Sequence, residues 1–376
     1  MFLASSRSGQ PENNSRAGAA SALRYTGAMF TTADIVLTTI NARYVHAALG
    51  LRYLAANMGE LAPRTRIVEF VLGQRAFEIV EDLLALNPRI IGLGVYIWNV
   101  EECTRVVALL KKVAPHITVI LGGPEVSYET DEQRICTLAD HVITGWGDVT
   151  FAQLAAEIVS GATPAQKVIV GEQPPLAEII LPYAHYTDED IAKRFIYVEA
   201  SRGCPFKCEF CLSALDKTAW PFELDAFMAE IEKLYNRGAR NFRFVDRTFN
   251  LKVAASERIL EFFLARMDDN LFMHFELIPD HLPDKLKETI ARFPPGALHI
   301  GKRNAIRRQY VVRRVGVVAQ LMRFSMAVYR RAAQSLEDTD LYFVRLQRMQ
   351  PVKATAKAGK VFTGQPGDQI DVNQRV

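Results

Sequence analysis

Between residues 33 and 160 the chain alternates short apolar runs with longer stretches whose apolar side chains recur every three to four positions. The runs fall at 34–40, 65–70, 89–96, 117–121 and 141–144. The longest nearly charge-free run, 90–100, is too short to span a bilayer and reads as a buried strand. The stretch 100–113 has the other period, with Cys103, Val106, Val107 and Leu110 on one helical face, and 47–58 is a second helical stretch. Strands alternating with helices across short connections predict an α/β fold whose N-terminal part is a doubly wound parallel sheet. Such a sheet binds ligands at the carboxyl ends of its strands.

A second alternation begins at 195. Strands are predicted at 195–198, 241–245, 271–277 and 297–300, and helices at 222–236, 256–267 and 283–291. In the first of these helices Leu224, Phe227, Met228, Ile231, Leu234 and Tyr235 form the buried stripe, and Gly238 suits a C-terminal cap. This pattern is a partial (β/α) barrel, in which chemistry belongs at the C-terminal strand ends. The acids near those ends are Glu199, Asp246 and Glu276, each of which a helix cap or salt bridge would equally explain. Beyond Gly301 the alternation stops.

Charge changes at the same place. Residues 301–376 hold 15 Lys and Arg against 5 Asp and Glu, whereas the first 300 are acidic on balance. A basic segment can bind nucleic acid or an anionic surface. Here the simultaneous loss of pattern is read instead as a reading-frame change or truncation, so neither nucleic acid nor membrane is an expected partner. Residues 309–329 could form one basic amphipathic helix, and the last 25 are polar. Residues 1–28 are polar and lack the apolar core of a secretory signal, which makes them a disordered extension with Met29 a candidate start. The expected organisation is an extension (1–28), a first α/β domain (30–165), a linker (166–193), a partial barrel (194–301) and an atypical basic tail (302–376). Five cysteines in 376 residues fit a reducing, cytoplasmic setting.

Three of those cysteines lie in one loop, Cys204-Pro-Phe-Lys-Cys208-Glu-Phe-Cys211, directly after a strand. Three thiolates at this spacing can hold three irons of a four-iron cluster and leave the fourth without a protein ligand. Arg202 and Lys207 flank the loop and would favour the thiolate form. A structural zinc site would want a fourth ligand, and no other Cys or His lies within ten residues. Cys103 and Cys136 are isolated and read as small buried hydrophobes. The spacing, with the aromatic Phe210 before the third cysteine, resembles the signature of radical S-adenosylmethionine (SAM) enzymes. That resemblance implies a 4Fe-4S cluster on Cys204, Cys208 and Cys211, with the open iron chelating SAM and Phe210 against its adenine. It also implies six β/α units, a role for Asp246 near the methionyl amine, Glu276 as a further contact, and an external reductant such as flavodoxin or ferredoxin. The Gly-Gly-Glu usual in the second strand region is absent.

Two glycine turns follow predicted strands of the first domain: Gly122-Gly123-Pro-Glu and Gly145-Trp-Gly147-Asp148-Val-Thr-Phe. Both let backbone approach a bulky ligand, and Asp148 suits a helix cap. Together they resemble the cobalamin-binding domain fused ahead of many radical SAM enzymes. By that resemblance Gly122, Gly123, Gly145 and Gly147 are corrin contacts, with residues 96–99 as further candidates. The Asp-x-His-x-x-Gly motif that supplies a cobalt-ligating His is not met: Tyr44-Val-His46-Ala-Ala-Leu-Gly50 lacks the acid. His46 reads more readily as a cap or surface group, and a flavodoxin-like sheet without cofactor stays open.

The function implied is a radical SAM enzyme that cleaves SAM to a 5′-deoxyadenosyl radical and, with cobalamin, methylates or otherwise modifies an unactivated carbon of a small-molecule or unknown substrate. The alternatives are an iron–sulfur-binding or inactive homologue, and a methylthiotransferase-like enzyme acting on RNA or protein. The last would need a second set of three cysteines in the first domain, which has only Cys103 and Cys136. No catalytic side chain can be named.

Overall fold

The computed structural model of the protein describes residues 32–206, 218–278 and 282–302. The extension 1–28, Lys207, Cys208, Phe210, Cys211 and the tail beyond 302 lie outside these residues.

The first sheet is six-stranded and wholly parallel: β1 (Ile35–Asn41), β2 (Thr65–Val71), β3 (Ile90–Gly94), β4 (Thr118–Gly122), β5 (His141–Gly145) and β6 (Val168–Gly171). Its order, β2-β1-β3-β4-β5-β6, reverses beside β1, as a doubly wound sheet requires. Successive strand residues enter opposite layers. Val36 and Ile40 pack with the layer holding Val106, Val107 and Leu110, while Ile35 and Leu37 pack with Leu51, Phe151 and Leu154. This two-sided burial explains why the strands read as continuous apolar runs rather than alternating ones.

One boundary differs from the sequence expectation. Residues 166–193, expected to be a linker, contribute β6, which pairs with β5 from Val142↔Val168 to Gly145↔Gly171. They also form the helix Asp188–Lys193. The strand is four residues long and lies at the sheet edge with Val170 73% exposed, so no hydrophobic period announces it.

The second sheet is parallel and four-stranded: β7 (Ile196–Val198), then β10 (Asn241–Phe244), β11 (Phe272–Leu277) and β12 (Leu298–Lys302), in the order β12-β11-β10-β7. Helices Leu224–Asn236, Val253–Leu264 and Asp284–Ala291 make the crossovers. Between β7 and the first of them a short antiparallel pair, β8 (Ser201–Gly203) and β9 (Ala219–Pro221), brackets the cysteine loop. The core is aromatic: Phe244 lies 4.4 Å from Phe275 and 5.5 Å from Phe249 between ring centroids, with Phe227 and Phe263 also against it.

A buried ionic network joins the two sheets. Glu69 of β2 accepts hydrogen bonds from Asn41, the Ala48 backbone, Arg52 and Arg194, at 2.6–2.9 Å. Arg52 also donates to Asp190 at 2.8 Å and lies over the Tyr186 ring. Burial alone would raise the Glu69 carboxyl, yet Arg52 and the hydrogen bonds win and hold it below the usual range. Its stabilisation is therefore present above the unfolded-chain value and is lost as pH falls through the folded one.

Two outcomes are expected in urea unfolding. Phe244→Ala lowers stability by about 3–5 kcal/mol through the cavity left among the rings. Glu69→Gln lowers it by about 3 kcal/mol near neutral pH because buried arginines lose their counter-charge. The deficit relative to wild type shrinks as pH falls below the ordinary carboxylate range and Glu69 itself protonates; a pH-independent deficit contradicts the ionic role.

Candidate active site at the strand ends

The carboxyl ends of β1, β3, β4 and β5 meet along one rim of the first sheet. Asn99 fastens it. The amide is fully buried, donates to Thr39 Oγ1 (3.1 Å) and Ile40 O (3.0 Å), and accepts from Tyr96 N (2.8 Å). Its capacity is spent on backbone and neighbours, so among residues 96–99 it is a scaffold rather than a ligand contact. Tyr96 and Trp98 stack at 4.5 Å with rings 7° from parallel. The Trp98 Nε1 donor is buried without a hydrogen-bond acceptor among the described residues.

The glycine turns close the rim. Gly123 has φ +112°, and a Cβ there would sit 2.4 Å from Val95 O, so only glycine allows the loop after β4 to lie against the loop after β3. At Gly122 and Gly147 a Cβ would meet only ordinary contacts, Ile143 O at 3.8 Å and the Leu54 side chain at 3.7 Å, so glycine there adds no bulk to the rim without being sterically required. Ser127 links the loops: its hydroxyl donates to Gly123 O (2.9 Å) and accepts from Gly145 N (3.3 Å). Nothing in the sequence pattern singled out Ser127. A rim of glycine backbone with a stacked aromatic pair and a buried orphan donor fits a large, flat, partly polar ligand such as a corrin.

Asp148 is not a helix cap. The helix Thr150–Val159 starts at Val149 without side-chain capping, and Asp148 is instead paired with Arg202 at 2.8 and 3.0 Å. His46 is neither cap nor surface group. Its Nδ1 lies 2.6 Å from the Tyr197 hydroxyl of β7, and its ring meets Phe195 edge-on.

On the second sheet, Cys204 is 4% exposed and its Sγ lies 3.5 Å from Thr248 Oγ1. Thr248 also lines a cavity of about 340 Å³ with Phe206, Asn250, Leu251, Val253 and Ile278. Asn250 closes its floor by bonding both backbone groups of Ile278, at 2.9 and 3.0 Å. A buried thiol beside such a cavity at strand ends fits one corner of a cluster with a ligand alongside. Arg202, which flanks the loop, is held by Asp148 (2.8 Å) and by Glu199 (2.7 Å).

Asp246 is fully committed as well. One oxygen accepts from Ala200 N (2.9 Å) and the other from the Ser201 hydroxyl (2.7 Å), so it fastens the turn from β7 into β8. Burial pushes its carboxyl up to about 7, against the lowering by those two hydrogen bonds. Glu276 is half-buried on β11, on the face opposite the core residues Met273, Phe275 and Leu277, beside Gly301. The structure thus brings Glu199 and Asp246 to the start of the cysteine loop and places Glu276 two strands away from Glu199.

Residues 35–155 match the B12 binding domain. The chain is 26% identical over 228 residues to an uncharacterized methyltransferase of Pyrococcus horikoshii, covering 54% of this chain and 49% of that one. It is 28% identical over 196 residues to the cobalamin-dependent radical SAM methyltransferase TokK of Streptomyces tokunonensis, covering 44% and 28%. The fold is shared with the radical SAM methyltransferase TsrM of Kitasatospora setae, solved with cobalamin and a [4Fe-4S] cluster: TM-score 0.52, 15% identity, 73% of this chain and 59% of that one. The chain is thus similar to cobalamin-binding radical SAM proteins. It spans about half the length, or less, of these curated relatives. Among its described residues no helix is long and apolar enough to cross a membrane.

The Asp246 environment sets a pH dependence. An acid whose folded value is raised makes the protein lose stability as pH rises from about 4, the unfolded value, towards the folded one. Asp246→Asn should therefore gain stability relative to wild type between pH 5 and 8, read by urea midpoints. A difference that stays flat over that range contradicts the buried-acid assignment.

Proposed function

We propose that this chain is a radical SAM enzyme that uses a 4Fe-4S cluster on Cys204, Cys208 and Cys211, together with cobalamin, to methylate or otherwise modify an unactivated carbon. The observation that carries the reading is the junction itself. The glycine rim that fits a corrin and the strand that leads into the cysteine loop are joined directly, Asp148 to Arg202. The chemistry supplied when both groups are bound is one-electron cleavage of SAM and methyl carriage on cobalt.

The chain's own residues then have separable parts. The Gly122–Gly123 and Gly145–Gly147 turns hold backbone against the corrin, and Tyr96 and Trp98 supply an apolar wall that limits water. Asp246 and Asn250 hold the β7–β8 turn and the cavity floor. By resemblance Phe210 would lie against the adenine of bound SAM, with Asp246 and Glu276 on the SAM side. A flavodoxin or ferredoxin serves as reductant, and the cytoplasm is the compartment that keeps the thiols reduced. A second reading, cofactor binding without turnover, is favoured by one observation. Four barrel strands are present among the described residues, where the resemblance implies six.

The test is anaerobic reconstitution of the full chain with iron and sulfide, followed by SAM and dithionite. The expected result is a brown protein that releases 5′-deoxyadenosine and retains corrin absorbance after desalting. Cys208→Ala should lose both colour and cleavage. A cluster spectrum that persists in this variant removes the ligand assignment, and a cluster without SAM cleavage selects the second reading.

A further inference from the structure

Arg202 occupies a position that neither the corrin rim nor the cluster ligands require. It lies on β8, two residues before Cys204, with its side chain 15% exposed. Its guanidinium makes a two-pronged bond to Asp148, at 2.8 and 3.0 Å, and its Nε donates to Glu199 at 2.7 Å. Three rings surround it: Tyr53 at 4.3 Å and Trp146 at 5.0 Å from the first domain, and Phe222 at 5.6 Å from the second. Arginine alone offers this combination of a planar fork and a stacking face.

Both partners from the first domain that follow β5, Trp146 and Asp148, belong to the turn that carries Gly145 and Gly147. That turn therefore grips the β8–β9 pair twice. Trp146 meets Trp220 of β9 edge-on at 5.8 Å, and Asp148 holds Arg202 of β8. On the other side of the grip the chain turns at Gly203, φ +80°, where a Cβ would stand 2.5 Å from both Thr218 O and the Trp220 ring. The turn after β5 and the strand that leads to Cys204 are thus held together by one ion pair and one ring contact. A displacement of one must move the other or break a buried ion pair.

We infer that Arg202 is a positioning residue that couples the corrin-facing turn 145–148 to the cysteine loop, so that cobalamin and the iron–sulfur cluster each strengthen the binding of the other. The inference rests on the cofactor reading above. Coupling of this kind is reciprocal, because the free energy that one ligand gains from the other's presence is shared by both. A buried bidentate ion pair within a ring of aromatic side chains is stiff enough to transmit it, whereas a solvated surface pair is not.

The measurement is the affinity of hydroxocobalamin for the full-length chain, followed by corrin absorbance under anaerobic conditions, with and without prior reconstitution of the cluster. In wild type the affinity should rise at least ~5-fold on cluster loading, the lower end of typical coupling between sites. In Arg202→Gln and in Asp148→Asn the ratio should fall to about one, with iron and sulfide content maintained. Asp148→Asn keeps the shape and one acceptor, so it guards against a folding defect in the Arg202 variant. A wild-type ratio of one, or a ratio unchanged in both variants, overturns the inference while leaving the cofactor reading intact. A chain that binds neither cofactor overturns both.

Discussion

Two parallel sheets meet at a small number of buried charges and at a shared apolar cluster of Tyr53, Ile179 and Phe222. The one on which the site depends is the contact of Arg202 with Asp148 and Glu199. Taking three charges out of water is unfavourable unless each finds a partner in good geometry. The two-pronged bond to Asp148, the Nε bond to Glu199 and the enclosing aromatic rings satisfy that condition. They also fix the distance between the end of β5 and the beginning of the cysteine loop. A second set of charges, Arg52, Glu69, Asp190 and Arg194, performs the same service near the other edge.

This arrangement explains why the site residues carry so little freedom. Asn99, Asp246 and Asn250 each have their polar atoms engaged with backbone from a different element. Such groups hold loops at a fixed height above the sheets, which is the preorganisation that a large cofactor and a reactive intermediate both demand. Asp246 shows the energetic cost. It is a buried carboxyl beside Glu199, with its proton affinity raised towards neutrality, and it accepts from the Ala200 N–H and the Ser201 hydroxyl of the turn into β8.

Much of the fold was legible because the signals were local. The runs 34–40, 89–96 and 117–121 gave strands within a residue or two at most ends, and Val100–Val113 emerged as a helix over the expected span. β6 was missed because an exposed edge strand of four residues has no period to detect. The glycine turn after β4 was legible because the close approach of Gly123 to Val95 dictates residue type there. Long-range partners were not. Asp148 looked like a cap since the residue before a helix usually is one, and only the fold reveals an arginine 54 positions away. The partners of Arg202 were hidden for the same reason: sequence shows proximity along the chain and not the carboxylates that a side chain meets in space. His46 and Ser127 owe their placement to strands and loops distant in sequence.

The proposed chemistry requires an iron that no side chain ligates. Electron paramagnetic resonance of the reconstituted, dithionite-reduced chain tests it directly, with spectra taken before and after adding SAM. A reduced four-iron signal whose g-values shift on SAM addition is predicted, since the cosubstrate binds the open iron. A signal indifferent to SAM, or no four-iron signal in protein that contains iron and sulfide, would contradict it.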